Sequence, residues 1–207
     1  MQENLNNAFV EVRKAYRLLA DYQKKVLDLV DFIGNSFGRT YAGGHSKYGD
    51  PTPRNGKGSL DLWSWDWLTM YFYEFSFGTE NINNQELTFS VFIVSDTGYY
   101  DEKTRNKTLD KRDTEVFTSP QESETKLIFL VGKDMWEHKG VFVDNFNKPE
   151  FLTKSGGKES DEKGIMLYKS YSLANFSNQK NAEEQLKDFE QYCKSYDIEF
   201  KFIEKKI

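Results

Sequence analysis

The sequence predicts an α+β domain: a long N-terminal helix, a mostly antiparallel sheet of five to six strands built from hairpins, and a C-terminal helix followed by a short strand. Three observations carry this. Apolar residues step by four and three from Leu5 to Phe37; two runs, Thr69–Phe77 and Leu87–Ser95, alternate with period two around a Gly/Asn-rich turn; and Ala182, Leu186, Phe189 and Cys193 return to helical spacing. Residues 1–207 suit one domain, since domains commonly hold roughly 100–200 residues. An aromatic content of 16% within 38% hydrophobic residues predicts a core of few, large side chains.

The first helix is read from Leu5, Phe9, Val12, Tyr16, Leu19, Val26, Val30, Ile33 and Phe37, with Gln23 filling one slot. Ala8, Ala15, Tyr22 and Leu29 widen that stripe beyond a two-stranded coiled-coil seam, so the expected role is packing across the sheet, in a monomer or weak dimer. From Gly34 to Ser59 seven Gly and two Pro break the pattern, predicting a helix end and an irregular loop over residues 35–59.

Then comes LDLWSWDWLTMYFYEFSFG, Leu60–Gly78, with three Trp, two Tyr and three Phe. Tyr71, Tyr73, Phe75 and Phe77 fall on one face of a strand, opposed by Met70, Phe72, Glu74 and Ser76. A hairpin register of Phe75 against Phe89, Tyr73 against Val91 and Glu74 against Ser90 makes the second face the more polar one, with Glu74 expected to be solvated. Trp63, Trp65, Asp66 and Trp67 precede this strand, on a short helix or a strand extension next to the loop.

Residues 99–124 form a mixed-sign charged excursion with a lone Phe117. KLIFLVG, from Lys126, is a continuous apolar run that reads as a central strand, with GVFVDNF, from Gly140, as its partner. TKSGGKESDEKG reads as a flexible connection to the strand IMLYKSYSL, from Ile165. Ser177 or Asn178 caps the last helix, and IEFKFI, from Ile198, closes the chain as a short strand.

Charge and motif content narrow the function. A net charge of −5 argues against a protein that coats nucleic acid by bulk charge, yet the 35–59 loop gathers Arg39, His45, Lys47, Arg54 and Lys57 against Asp50 alone. Gly admits close backbone approach to an anion, and Arg or Lys completes a phosphate or carboxylate cradle. NGKGS is not a Walker A loop. The expected site is therefore Arg39, His45, Lys47, Arg54, Lys57, Trp65 and Asp66, contacting an anionic ligand or a protein partner, with nucleic acid possible through this local patch.

Catalytic signals are weak. Only His45 and His138 could serve as a general base, and Cys193 lies on an apolar helix face, so nucleophilic triads are not expected. A divalent-metal nuclease or phosphodiesterase built on clustered carboxylates is the alternative reading, drawing on Asp66, Glu74 and the triplet Glu199–Lys201. The leading expectation is a cytoplasmic, non-enzymatic binding or regulatory module with no cofactor, no metal and no membrane span. The N-terminal stretch lacks a basic region followed by an apolar one, and a single Cys suits a reducing compartment.

Overall fold

The computed structural model describes residues 2–49, 70–82, 84–111, 113–134, 152, 154–160 and 164–203. The elements are α1 (Gln2–Ser36), β1 (Gly43–Ser46), β2 (Phe72–Ile82), β3 (Gln85–Val94), α2 (Gly98–Arg105), a 3₁₀ turn (Thr114–Val116), β4 (Lys126–Lys133), β5 (Gly156–Ser160), β6 (Ile165–Ser172), a second 3₁₀ turn (Leu173–Phe176) and α3 (Gln179–Lys194). One six-stranded sheet results, in the order β1-β2-β3-β4-β6-β5, with every neighbouring pair antiparallel. The α+β expectation holds.

The central strands read as near-continuous apolar runs because the sheet is covered on both faces. On one face Phe75, Phe77, Phe89, Val91, Ile93, Leu127, Phe129, Val131 and Leu167 meet Val26, Val30, Ile33 and Phe37 of α1 and Leu186, Phe189 and Cys193 of α3. Both helices therefore lie on the same face. The ring of Phe89 packs against Phe37, Phe77 and Phe200 at centroid distances of 5.5, 5.2 and 4.7 Å. Asn178 caps α3 by accepting a hydrogen bond from the Asn181 backbone N–H at 3.0 Å.

The opposite face carries a second core of Tyr48, Tyr71, Phe72, Phe92, Val94, Ile128, Leu130, Leu152, Met166 and Tyr168. The charged excursion supplies its cover. Rather than projecting as a polar loop, it folds into α2, and its lone Phe117 packs with Tyr99 of that helix against Tyr71, at 5.4 and 6.2 Å. Thr97 pins the start, its N–H bonded to the Glu124 carbonyl at 3.0 Å and its hydroxyl accepting the Glu124 N–H at 3.0 Å. The contacts of these two half-buried aromatics outweigh the polar composition that surrounds them.

Several expectations are corrected. The β2–β3 register is Phe75 with Val91, Tyr73 with Ile93 and Glu74 with Phe92, two residues from the predicted pairing. A bulge between Ser76 and Thr79, with Gly78 at φ 68°, adds a residue to β2 and Asn84 turns the hairpin at φ 62°. Sequence alternation gives the face but not the bulge. Tyr71, expected beside Tyr73, packs in the opposite core just before β2 begins. Part of the supposed flexible connection is β5, and residues 198–203 join no sheet; Ile198 and Phe200 are buried and Ile203 N–H bonds the Ser36 carbonyl at 2.7 Å. GVFVDNF lies outside the described residues.

Helix α1 does not stop at Gly34. The backbone stays helical to Ser36, and Gly is needed because a Cβ there would come within 2.2 Å of the Phe77 ring. Its packing also differs from expectation: only the last third touches the sheet, while Leu5, Phe9, Val12, Tyr16 and Leu19 are 54%, 49%, 50%, 72% and 52% exposed. The helix is longer than the sheet it crosses.

Phe75 is 2% exposed, so Phe75→Ala is expected to destabilise the fold by about 3–5 kcal/mol in denaturant titration. A loss below about 1 kcal/mol would mean the aromatic face is not the core.

Candidate functional site

The Gly-rich loop is partly strand. Gly43–Ser46 pairs with β2 as the sheet edge, Gly44 lying so close that a Cβ would sit 2.5 Å from the Tyr73 ring and 2.6 Å from the Glu74 carbonyl oxygen. Small residues in the loop thus serve strand packing as well as turning. His45 stands opposite Glu74 in register and is exposed.

Two of the predicted cations are taken up by the protein itself. Arg39 is 4% exposed; its guanidinium lies 2.8 Å from Glu80 Oε2 and leans over Phe200 at 5.5 Å, while neither terminal nitrogen makes a directed hydrogen bond. Burial lowers its pKa, and the Glu80 carboxylate opposes that shift. Lys47 Nζ lies 2.5 Å from Glu74 Oε2, and Ser90 Oγ donates to Glu74 Oε1 at 2.9 Å. Glu74, expected on a solvated face, is 4% exposed. Its burial is tolerated because a cation and a hydroxyl satisfy both carboxylate oxygens.

Arg54, Lys57, Trp65 and Asp66 lie outside the described residues, and the residues on either side of their segment are tied to the sheet. Lys47 N–H bonds the Phe72 carbonyl at 2.8 Å, and the rings of Tyr48 and Tyr71 are 4.3 Å apart. On the other side Ser95 Oγ donates to the Met70 carbonyl at 2.5 Å and meets Tyr22 OH of α1 at 2.9 Å. Lys47–Tyr48 and Tyr71–Phe72 therefore lie side by side, close to the point where α1 parts from the sheet.

An aromatic floor underlies this place. Tyr99 and Tyr100 pack 5.3 and 6.3 Å from Tyr48, the Tyr99 N–H donates to Tyr71 OH at 3.0 Å, and the Tyr48 hydroxyl donates to the Lys111 carbonyl. Burial pushes the Tyr48, Tyr71 and Tyr100 phenols well above their ordinary range. Sequence reasoning missed Tyr48, Tyr99 and Tyr100. The available signal was large aromatics in otherwise polar stretches, YG at Tyr48 and YY at Tyr99, where nothing but burial favours such side chains.

Elsewhere, a cleft of about 580 Å³ opens between the β2–β3 hairpin and the end of α3, with Leu87, Ile198 and Phe200 below and Glu190, Asp197 and Lys201 at its rim. Glu199 also lines it, but its carboxylate is 3.5 Å from Lys201 Nζ and both side chains are largely exposed. Among the described residues no group of three His, Cys, Asp or Glu side chains converges on a common point. The nuclease reading thus finds no carboxylate cluster there. Cys193 is fully buried and its thiol is pushed up by burial, which makes it a core residue rather than a nucleophile. His138 lies outside the described residues.

The fold is an α+β protein whose six-stranded antiparallel sheet carries a core on each face. The chain belongs to the PM0109 family, whose model matches residues 2–197. A Pasteurella multocida (strain Pm70) protein described as uncharacterized protein PM0109 is 68% identical over 31 residues, a match spanning 15% of this chain and 15% of that protein. No solved structure matches the chain. Among the described residues no helix is long and apolar enough to cross a membrane.

Lys47→Ala is expected to cost about 3 kcal/mol, because it leaves a buried carboxylate without its cation, whereas Lys47→Met combined with Glu74→Gln is expected to cost less than the single change. Urea titration of both variants checks this. Equal stability of Lys47→Ala and wild type would place the pair in solvent.

The buried phenols set an alkaline limit. An unfolded phenol titrates near 10, and the folded pKa of Tyr22, Tyr48, Tyr71, Tyr100 and Tyr171 is raised above it, so the unfolded state loses protons first. Their stabilising contribution is complete below pH about 10 and declines as pH rises beyond it. Phenolate absorbance is expected to rise together with loss of near-ultraviolet dichroism above that pH. Ionisation of all tyrosines while the fold persists would contradict the burial.

Proposed function

We propose that the protein is a cytoplasmic, non-enzymatic binding module that engages an anionic ligand through segment 50–69 and the neighbouring His45. Arg54 and Lys57 supply the charge, Trp65 a flat apolar contact, and Asp66 a polar one. Arg39 and Lys47, counted with these residues from the sequence alone, act instead as internal braces that hold the edge of the sheet.

The observation that supports this reading is the clamp at Lys47–Phe72 and Tyr48–Tyr71, where both ends of the segment rest on a buried aromatic floor. Anchored ends reduce the ordering cost that a loop meets on binding, and Arg39 and Lys47 are already paired with Glu80 and Glu74. A net charge of −5 keeps non-specific association with polyanions low and leaves a local patch to select its ligand.

Three of the four Trp lie in this segment, so intrinsic fluorescence reports on it. Wild type titrated with inorganic pyrophosphate and with a labelled single-stranded oligonucleotide is expected to bind at least one probe, and Arg54→Ala with Lys57→Ala to weaken it by about tenfold or more. The thermal midpoint is expected to stay nearly constant, since exposed charges change stability by less than about 0.5 kcal/mol. Binding that survives the double substitution, or no binding of either probe, removes the anionic-ligand assignment.

A further inference from the structure

Among the described residues, the first part of α1 presents a large apolar surface that no other element covers. Leu5, Phe9, Val12, Tyr16 and Leu19 follow one another at steps of four, three, four and three, and all five are about half exposed or more. The same seam continues through Gln23 into Val26, Val30 and Ile33, which are buried against the sheet. One stripe thus has two environments: its C-terminal part is core and its N-terminal part projects from the domain as an arm.

We propose that a second copy of this chain covers the arm, the two α1 helices packing face to face along Leu5–Leu19. Sequence spacing supports self-pairing, because a four-and-three repeat keeps its apolar positions on a line against an identical helix, as in a coiled coil. Ala8, Ala15 and Ala20 flank this line and admit close approach of a second backbone, with Arg13 the one charge beside the seam in this stretch.

Charge selects among occupants. Between residues 2 and 21 the arm carries Arg13, Lys14 and Arg17 against Glu3, Glu11 and Asp21, three of each sign, so two arms meet without net repulsion. A membrane surface or a polyanion would instead call for a polar face dominated by Lys and Arg, which this arm lacks. Area agrees as well. The exposed stripe amounts to on the order of 600 Å² per chain, at the upper end of what a monomer leaves uncovered, and two copies would bury roughly 1,200 Å², which is enough for a specific interface. A lone arm is also a poor helix, since isolated helices of about this length are marginal in water without a packed face.

The arm makes its exit where Tyr22 meets Ser95 and Ser95 meets Met70. The pairing does not depend on the anionic ligand proposed above.

The test is light scattering coupled to size exclusion on the full chain at about 10 μM and at tenfold dilution, where association is governed by mass action. Wild type is expected at about twice the 24.3 kDa chain mass. Val12→Asp with Leu19→Asp, and independently Leu5→Asp with Phe9→Asp, are expected to run at the single-chain mass with the thermal midpoint of the domain unchanged, because these side chains sit clear of the sheet. Wild type at the single-chain mass at both concentrations overturns the proposal. So does a dimer that survives both double substitutions, or a wild-type monomer that either one unfolds, which would show that the chain covers its own arm.

Discussion

Strand β3 must be buried on both faces, and most of the structure answers that demand. Phe89, Val91, Phe92, Ile93 and Val94 are all fully buried, so helices are required on one side and the folded excursion on the other. Its two buried polar residues need partners inside the protein as well: Thr88 takes the Thr79 hydroxyl at 2.7 Å and Ser90 takes Glu74. Glu74 in turn needs Lys47, which anchors the end of β1. A requirement at the centre of the sheet is thus passed outward to its edge.

This relay changes the meaning of the basic cluster. As composition, four cations and His45 against one acid in a Gly-rich stretch read as a single electropositive surface. In the fold the cluster divides, with Arg39 and Lys47 directed to Glu80 and Glu74. A charged side chain whose partner lies far along the chain has no local signature, and burying it unpaired would cost several kcal/mol. Buried Glu74 and exposed Glu80 therefore engage two of the four cations within the protein.

The same contrast governs α1. Periodicity states which residues share a face but not what that face meets, and here one seam serves the core over Val26–Phe37 and projects over Leu5–Leu19. A helix of this length exceeds the width of the sheet by geometry alone. Membership in the PM0109 family extends over residues 2–197 and so includes the arm as well as the sheet.

By itself the sequence determined the class of fold, the long helix, the β2–β3 hairpin with Tyr73, Phe75 and Phe77 on one face, a cap at Ser177 or Asn178 and the core face of α3. Each rests on local periodicity or capping chemistry, which neighbours in the chain suffice to define. Only the tertiary structure decided the bulge at Gly78, the burial of Glu74, the withdrawal of Arg39 and Lys47, the folding of residues 98–117 over the second face and the exposure of the arm. Those outcomes depend on which distant surfaces meet, and on the cost of leaving a buried polar group or a large aromatic without a partner, neither of which a local pattern contains.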